Sequence, residues 1–317
     1  MPLRPAFTRL LAAALVALGL AAVPAAALGA PAEPEWAPAS RAAITPGVRT
    51  HTDGGQCTAN FVFYDDEDVY IGQAAHCATT GGPRDVDGCE AGSLPLGTPV
   101  RVGGAARPGR LAYSSWLAMQ RAKEDDPSAC RFNDFALVRL DPAERAAVNP
   151  SVPLYGGPVE LNEDGPEDGE KVYSYGNSSL LGGIDLLNAK RGVSLSTAGG
   201  GWLHTVVTVI PGVPGDSGSG YVDSEGRAFG VIRTFGPGPL LGSNGITDLG
   251  KALRYMAEHS DLDVTLALGT ESFTEDPSSR AREPEPADPA PRAALLARLL
   301  GGLIDALRPW SGGTEAR

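Results

Sequence analysis

Glycine and proline interrupt this chain so often that short strands joined by turns are the architecture open to it. Its 317 residues include 41 glycines and 27 prolines, about one position in five. Both residues break helices and mark turns. Between the breaks lie runs rich in Val, Tyr, Phe and Thr. They are Asn60–Tyr64, Val69–Gln73, Phe135–Leu140, Lys171–Tyr175, Gly192–Ser196, Leu203–Ile210, Gly218–Val222 and Phe229–Thr234. Such runs suit a pleated, half-buried surface. Many short strands with almost no helical pattern predict an all-β fold, a sandwich or barrels. One short C-terminal helix is predicted over Leu249–His259.

The two ends differ from this middle. Residues 1–27 read as an export signal peptide. Arg4 and Arg9 precede an apolar run from Leu10 to Val23, and Ala25-Ala26-Ala27 supplies the small residues that signal peptidase accepts. That run is about 14 residues, short of the roughly 20 that span a bilayer. Residues 28–47 are expected to be a flexible lead or propeptide. Residues 48–148 and 170–262 form two β units, the second ending in the helix, with the Pro-, Gly- and acid-dense stretch 149–169 as their linker. Residues 263–291 are acidic and Pro-rich and are expected to be disordered. Over 292–308, Leu295, Leu296, Leu299, Leu300, Leu303, Ile304 and Leu307 fall on one helical face, opposite Arg298, Asp305 and Arg308. This amphipathic helix is a candidate for contact with a membrane surface or envelope.

The formal net charge is −12. That argues against nucleic-acid partners, whose phosphates require clustered Lys and Arg. The four cysteines are Cys57, Cys77, Cys89 and Cys130. An even count behind an export signal reads as two disulfides, with three connectivities open. No Cys-x-x-Cys pair exists, and His51, His76, His204 and His259 are scattered, so no metal is expected. Nothing calls for a cofactor.

Three stretches carry chemistry. They are Gln73-Ala74-Ala75-His76-Cys77, Asn133-Asp134-Phe135-Ala136-Leu137-Val138-Arg139-Leu140 and Pro214-Gly215-Asp216-Ser217-Gly218-Ser219-Gly220. A serine hydroxyl is a weak nucleophile and needs a base to take its proton. An imidazole titrates near neutrality and can be that base. A carboxylate can fix its tautomer and stabilise the imidazolium. In the order His76, Asp134, Ser217, the boxes resemble the chymotrypsin/trypsin-like serine proteases, with the look of secreted bacterial members. The similarity spans roughly residues 50 to 260.

The resemblance implies two six-stranded antiparallel β-barrels with the active site between them. His76 and Asp134 would come from the first and Ser217 from the second. The backbone N–H groups of Gly215 and Ser217 would form the oxyanion hole. Cys57–Cys77 would brace the histidine loop, leaving Cys89–Cys130 as the second pair. The substrate pocket would involve Pro211, Val213 and the strand Thr234-Phe235-Gly236. Trypsin-like members carry an acid six residues before the nucleophile, and Pro211 stands there. Apolar, medium or aromatic side chains are therefore expected at the cleaved position, not basic ones.

The chain also departs from the family's digestive branch. No Ile-Val-Gly-Gly start is present near Ile44-Thr45-Pro46-Gly47-Val48, and the second unit has no cysteine. Asp216 is expected to pair with an internal cation or with backbone donors in place of a new N-terminal amine. The function implied is a secreted serine endopeptidase, a monomer acting on protein or peptide substrates. Two alternatives stay open: a catalytically inactive homologue, and an envelope-associated protein-binding module.

Overall fold

The computed structural model describes residues 31–53, 55–82, 86–182, 184–235 and 242–279. The predicted signal peptide and the helix over 292–308 lie outside them.

The fold is all-β, built as two sheets. The first has eight strands: β1 (Arg49–Thr52), β2 (Gly55–Thr58), β3 (Val62–Tyr64), β4 (Val69–Gln73), β5 (Pro99–Val102), β6 (Gly109–Ser114), β7 (Ala136–Arg139) and the late β14 (Thr265–Leu266). Their order is β14-β3-β4-β7-β6-β5-β1-β2. The second is a closed six-stranded barrel of β8 (Lys171–Tyr175), β9 (Ala189–Ala198), β10 (Leu203–Thr208), β11 (Gly220–Val222), β12 (Ala228–Phe235) and β13 (Ser243–Asp248). The named strand pairs in both sheets are antiparallel. The helices are α1 (Ser115–Ala122), α2 (Pro127–Phe132), α3 (Asp185–Asn188) and α4 (Leu249–His259). None of the described helices is long and apolar enough to cross a membrane.

Burial follows the strand period. Along β10, His204, Val206 and Thr208 point inward while Leu203, Thr205 and Val207 are half-buried. Val172, Val206, Tyr221, Phe229, Ile232 and Ile246 fill the barrel. β4 is buried at all five residues because both of its faces are covered. In the first sheet, Phe63 and Phe135 meet edge to face at 5.7 Å.

Several boundaries need correction. The lead over 28–47 is not a loose arm in its described part. Ile44 is fully buried, and the amides of Ala37, Ala43 and Ile44 donate to the carbonyls of Val148, Ala147 and Ala147. An apolar Ile and paired backbone groups hold that segment down despite its Pro and Ala content. The disorder expected from 263 does not hold through 279. Thr265 pairs with Tyr64, the Gly157 amide donates to Glu271, and Phe273 stacks edge-on against Tyr173 at 5.5 Å. β14 covers the edge that β3 would otherwise leave open. The stretch 149–169 connects the two units but is also packed, with Val152 and Tyr155 buried. The sheet of eight strands exceeds the expected six because β14 returns to it and β1 doubles back as β2.

Candidate active site

His76 sits on a single 3-10 turn, Ala75–Ala78, directly after β4. Cys77 in that turn is bridged to Cys57 on β2. The second bridge joins Cys89 to Cys130 on α2. Both pairings implied by the resemblance are therefore present. The sulfurs of Cys57 and Cys77 crowd the His76 ring, but their disulfide leaves no thiolate to ligate a metal.

Asp134 lies between α2 and β7. Pro127 starts α2, and Asp126 caps it by accepting from the Ser128 amide. The Ser115 hydroxyl then brackets Asp134, donating to the Asn133 carbonyl at 2.9 Å and accepting from the Phe135 amide at 3.1 Å. So held, the carboxylate takes two bonds from one residue. The His76 amide donates to Oδ1 at 2.9 Å, and Nδ1 meets Oδ2 at 2.6 Å. An ionised carboxylate only accepts, so Nδ1 carries the proton and Nε2 is left as the basic nitrogen. The Asp134 side chain is 2% exposed and that of His76 24%. Burial by itself would raise the Asp134 pKa. The charge and hydrogen bond of His76, with the Arg233 guanidinium, outweigh it and hold the carboxyl below its ordinary value.

Ser217 occupies a tight turn of the second barrel, tied across the interface to the first sheet. Its carbonyl accepts from the Thr58 amide at 2.8 Å, and the Thr58 hydroxyl donates to the Gly215 carbonyl at 2.7 Å. Gly215 has φ +100° and Gly218 φ +89°, a region that favours glycine. Gly218 also needs its bare α-carbon, since a Cβ there would lie 2.5 Å from the Thr58 carbonyl and 2.9 Å from the Ala74 amide nitrogen. That close approach brings Ser217 beside the His76 turn. No hydrogen bond joins Ser217 to His76 among the described residues. The N–H groups of Gly215 and Ser217 likewise donate to nothing there, whereas their neighbours Asp216 and Gly218 donate to Val213 and Ile232.

Asp216 has the internal cation that the sequence left open. Lys190 Nζ lies 3.0 Å from Asp216 Oδ2, and both side chains are fully buried. The carboxylate also accepts from the amides of Ser178 and Val213, each at 3.0 Å. Gly176 makes room for the pair, since a Cβ there would be 2.3 Å from Asp216 Oδ1 and 2.7 Å from Lys190 Cε.

Of the expected pocket residues, Pro211 is exposed and Val213 and Thr234 are half-buried. Phe235 pairs with Asn244 through the backbone, and Gly236 lies outside the described residues. Asp248 bonds His204 Nε2 at 2.8 Å and caps α4 through the Lys251 amide.

Sequence reasoning missed two residues here: Lys190 and Arg233. Arg233 sits at a bulge of β12, between Ile232 and Thr234. Its guanidinium reaches the Val86 carbonyl at 3.2 Å and lies 5.5 Å over the Phe132 ring. Burial lowers its pKa, Asp134 opposes that fall, and Arg131 adds to it. Adjacent cations at Lys190 and Arg191 in a strand were the available signal, because alternation turns one of them inward.

No family model and no curated protein matches the sequence. Solved structures do. Thermobifida fusca Protease A aligns with 72% of this chain and 100% of its own at 18% identity, with a TM-score of 0.46. A glutamic acid-specific serine protease that uses a histidine triad in substrate binding aligns with 71% of this chain and 100% of its own, at 16% identity and a TM-score of 0.44. Cellulomonas bogoriensis chymotrypsin aligns with 71% of this chain and 98% of its own, at 16% identity and a TM-score of 0.42.

Proposed function

We propose that the protein is an exported serine endopeptidase that cleaves peptide bonds through an acyl-enzyme. The observation that carries this reading is the His76–Asp134 pair, with its Nδ1 bond of 2.6 Å, brought against the Ser217 turn. Ser217 Oγ attacks the scissile carbonyl while His76 Nε2 takes its proton. Asp134 stabilises the imidazolium that forms. The amides of Gly215 and Ser217 receive the oxyanion, and each such donor is worth about 10²–10³ in turnover. His76 then gives its proton to the leaving amine, and water releases the acyl group.

The Lys190–Asp216 pair supports an enzyme that needs no new N-terminus near Ile44 to order this turn. Two disulfides suit an oxidising, extracellular setting. Contact with a membrane surface or envelope through 292–308, and the monomeric state, remain part of this proposal.

A fluorophosphonate probe tests the reading without knowledge of the substrate. The protein should be labelled at one serine, and Ser217→Ala should abolish labelling and lower peptide turnover by about 10⁶. Labelling that persists in a folded Ser217→Ala variant removes the assignment.

A further inference from the structure

Resting on the peptidase reading, we propose that Ser178 is a positioning residue of the Ser217 turn: its hydroxyl holds the Pro214 carbonyl and so keeps the Gly215 N–H turned toward the substrate oxygen. Ser178 lies outside the three catalytic boxes and acts through the Pro214–Gly215 peptide.

That peptide sits at a corner with two backbone states. Val213–Asp216 is a β-turn, closed by the Asp216 amide, which donates to the Val213 carbonyl at 2.9 Å. Pro214 and Gly215 are its central residues, and Gly215 has φ +100°. A positive φ at the third position marks the type II form. In the type I form ψ of the second residue moves from about +120° to about −30°, and φ of the third from about +80° to about −90°. The two forms thus differ by about half a turn of the central peptide. Proline suits the second position of both, and glycine accepts either φ.

The choice matters because a trans peptide is planar, so its C=O and N–H point in opposite directions. The Ser178 hydroxyl accepts from the Leu180 amide at 3.1 Å and donates its one proton to the Pro214 carbonyl at 2.6 Å. The Gly215 N–H then faces away from Ser178, and among the described residues it donates to nothing. Ser178 is fully buried, and its own amide is tied to Asp216 Oδ1 at 3.0 Å. A flipped peptide would strip the hydroxyl of its acceptor. It would also aim a carbonyl, in place of an N–H, at the developing oxyanion. The next such peptide is held twice, since the Asp216 carbonyl accepts from both the amide and the hydroxyl of Ser219. Among the described residues the Pro214 carbonyl has the Ser178 hydroxyl alone.

Hydrolysis of p-nitrophenyl acetate by the mature protein, corrected for the Ser217→Ala rate, gives kcat and KM without knowledge of the peptide substrate. Ser178→Ala should lower kcat about tenfold or more, toward the roughly 10²–10³ that loss of one oxyanion donor costs. KM should change by less than about threefold, because the lost interaction belongs to the transition state. Ser219→Ala should cost less than Ser178→Ala, since the Ser219 amide still holds its carbonyl. A folded Ser178→Ala variant with wild-type kcat overturns the proposal, as does a loss confined to KM or a larger loss in Ser219→Ala. Should Ser178→Ala fail to fold, Ser178→Cys carries the test, because a thiol is a weak donor of similar shape. Its kcat should fall below that of wild type, and an equal kcat overturns the proposal. Fluorophosphonate labelling of wild type separates the two readings. Its absence sinks the peptidase itself, whereas labelling with an unchanged kcat in Ser178→Ala sinks only the role of Ser178.

Discussion

The two sheets hold their halves of the site by different means. The first sheet carries His76 and Asp134, and both disulfides lie there, one ending in the His76 turn and one on the helix before Asp134. The closed barrel carries Ser217, and no cysteine lies between residues 131 and 317. In their place it buries polar pairs: the Lys190–Asp216 ion pair, and His204 hydrogen-bonded to Asp248. Covalent bridges act mainly by restricting the unfolded chain. A buried ion pair acts in the folded state, and its removal by halves leaves an uncompensated charge. The His76 turn should thus respond to reductant, and the Ser217 turn to single charge deletions.

The largest effect should come from Lys190→Met. It leaves Asp216 buried with two backbone donors and no cation, at a cost of about 3–5 kcal/mol. The turn that aims the Gly215 and Ser217 amides then loses its anchor, so fluorophosphonate labelling should fall along with the melting temperature. Lys190→Met with Asp216→Asn should recover most of the melting temperature, because no unpaired charge remains. A single variant as stable and as reactive as the parent would show that the barrel does not depend on this pair.

The disulfides sharpen the contrast, because their effects on stability and activity should cross. Cys57–Cys77 closes 20 residues and Cys89–Cys130 closes 41. Chain entropy assigns them about 3 and about 4 kcal/mol, respectively. Removing the longer loop's bridge should lower stability slightly more. Removing Cys57–Cys77 should lower labelling more, since it braces the turn of His76 itself. Paired Cys→Ala variants, compared by urea unfolding and by probe rate, check this. Equal ranking in both measurements would break the link between the bridge and His76.

Legibility from sequence followed the same division. Val69–Gln73, Lys171–Tyr175 and Leu249–His259 match their elements end to end. Each has a sharp boundary signal, such as Asp248 capping α4. The His76, Asp134 and Ser217 boxes were readable because short motifs encode local geometry. α1, α2 and the short strands β1, β2, β5 and β6 were not, since charged or glycine-flanked runs of four to eight residues carry little periodic signal. Lys190 and Arg233 were hidden for another reason. Each is a polar residue whose burial depends on a partner 26 or 147 positions away. Local pattern cannot report such pairs.

The smallest effect should appear on acidification, and only in the first sheet's half of the site. The Asp134 carboxyl is held below its ordinary value, burial being outweighed by His76 and Arg233. A carboxylate so depressed contributes stability that is fully present above its unfolded value, near 3.9, and is lost as pH falls through the folded value. Wild type should therefore exceed Asp134→Asn in stability at pH 5 to 7, and the gap should narrow as pH drops below about 4. Arg233→Met should make the gap at pH 5 to 7 smaller, because one of the charges holding the carboxyl down is gone. Urea midpoints at half-unit pH steps measure both. The sign matters: a gap that widens on acidification would mean that burial, which favours the neutral acid, dominates at Asp134. The His76 pairing would then be weaker than its 2.6 Å bond implies.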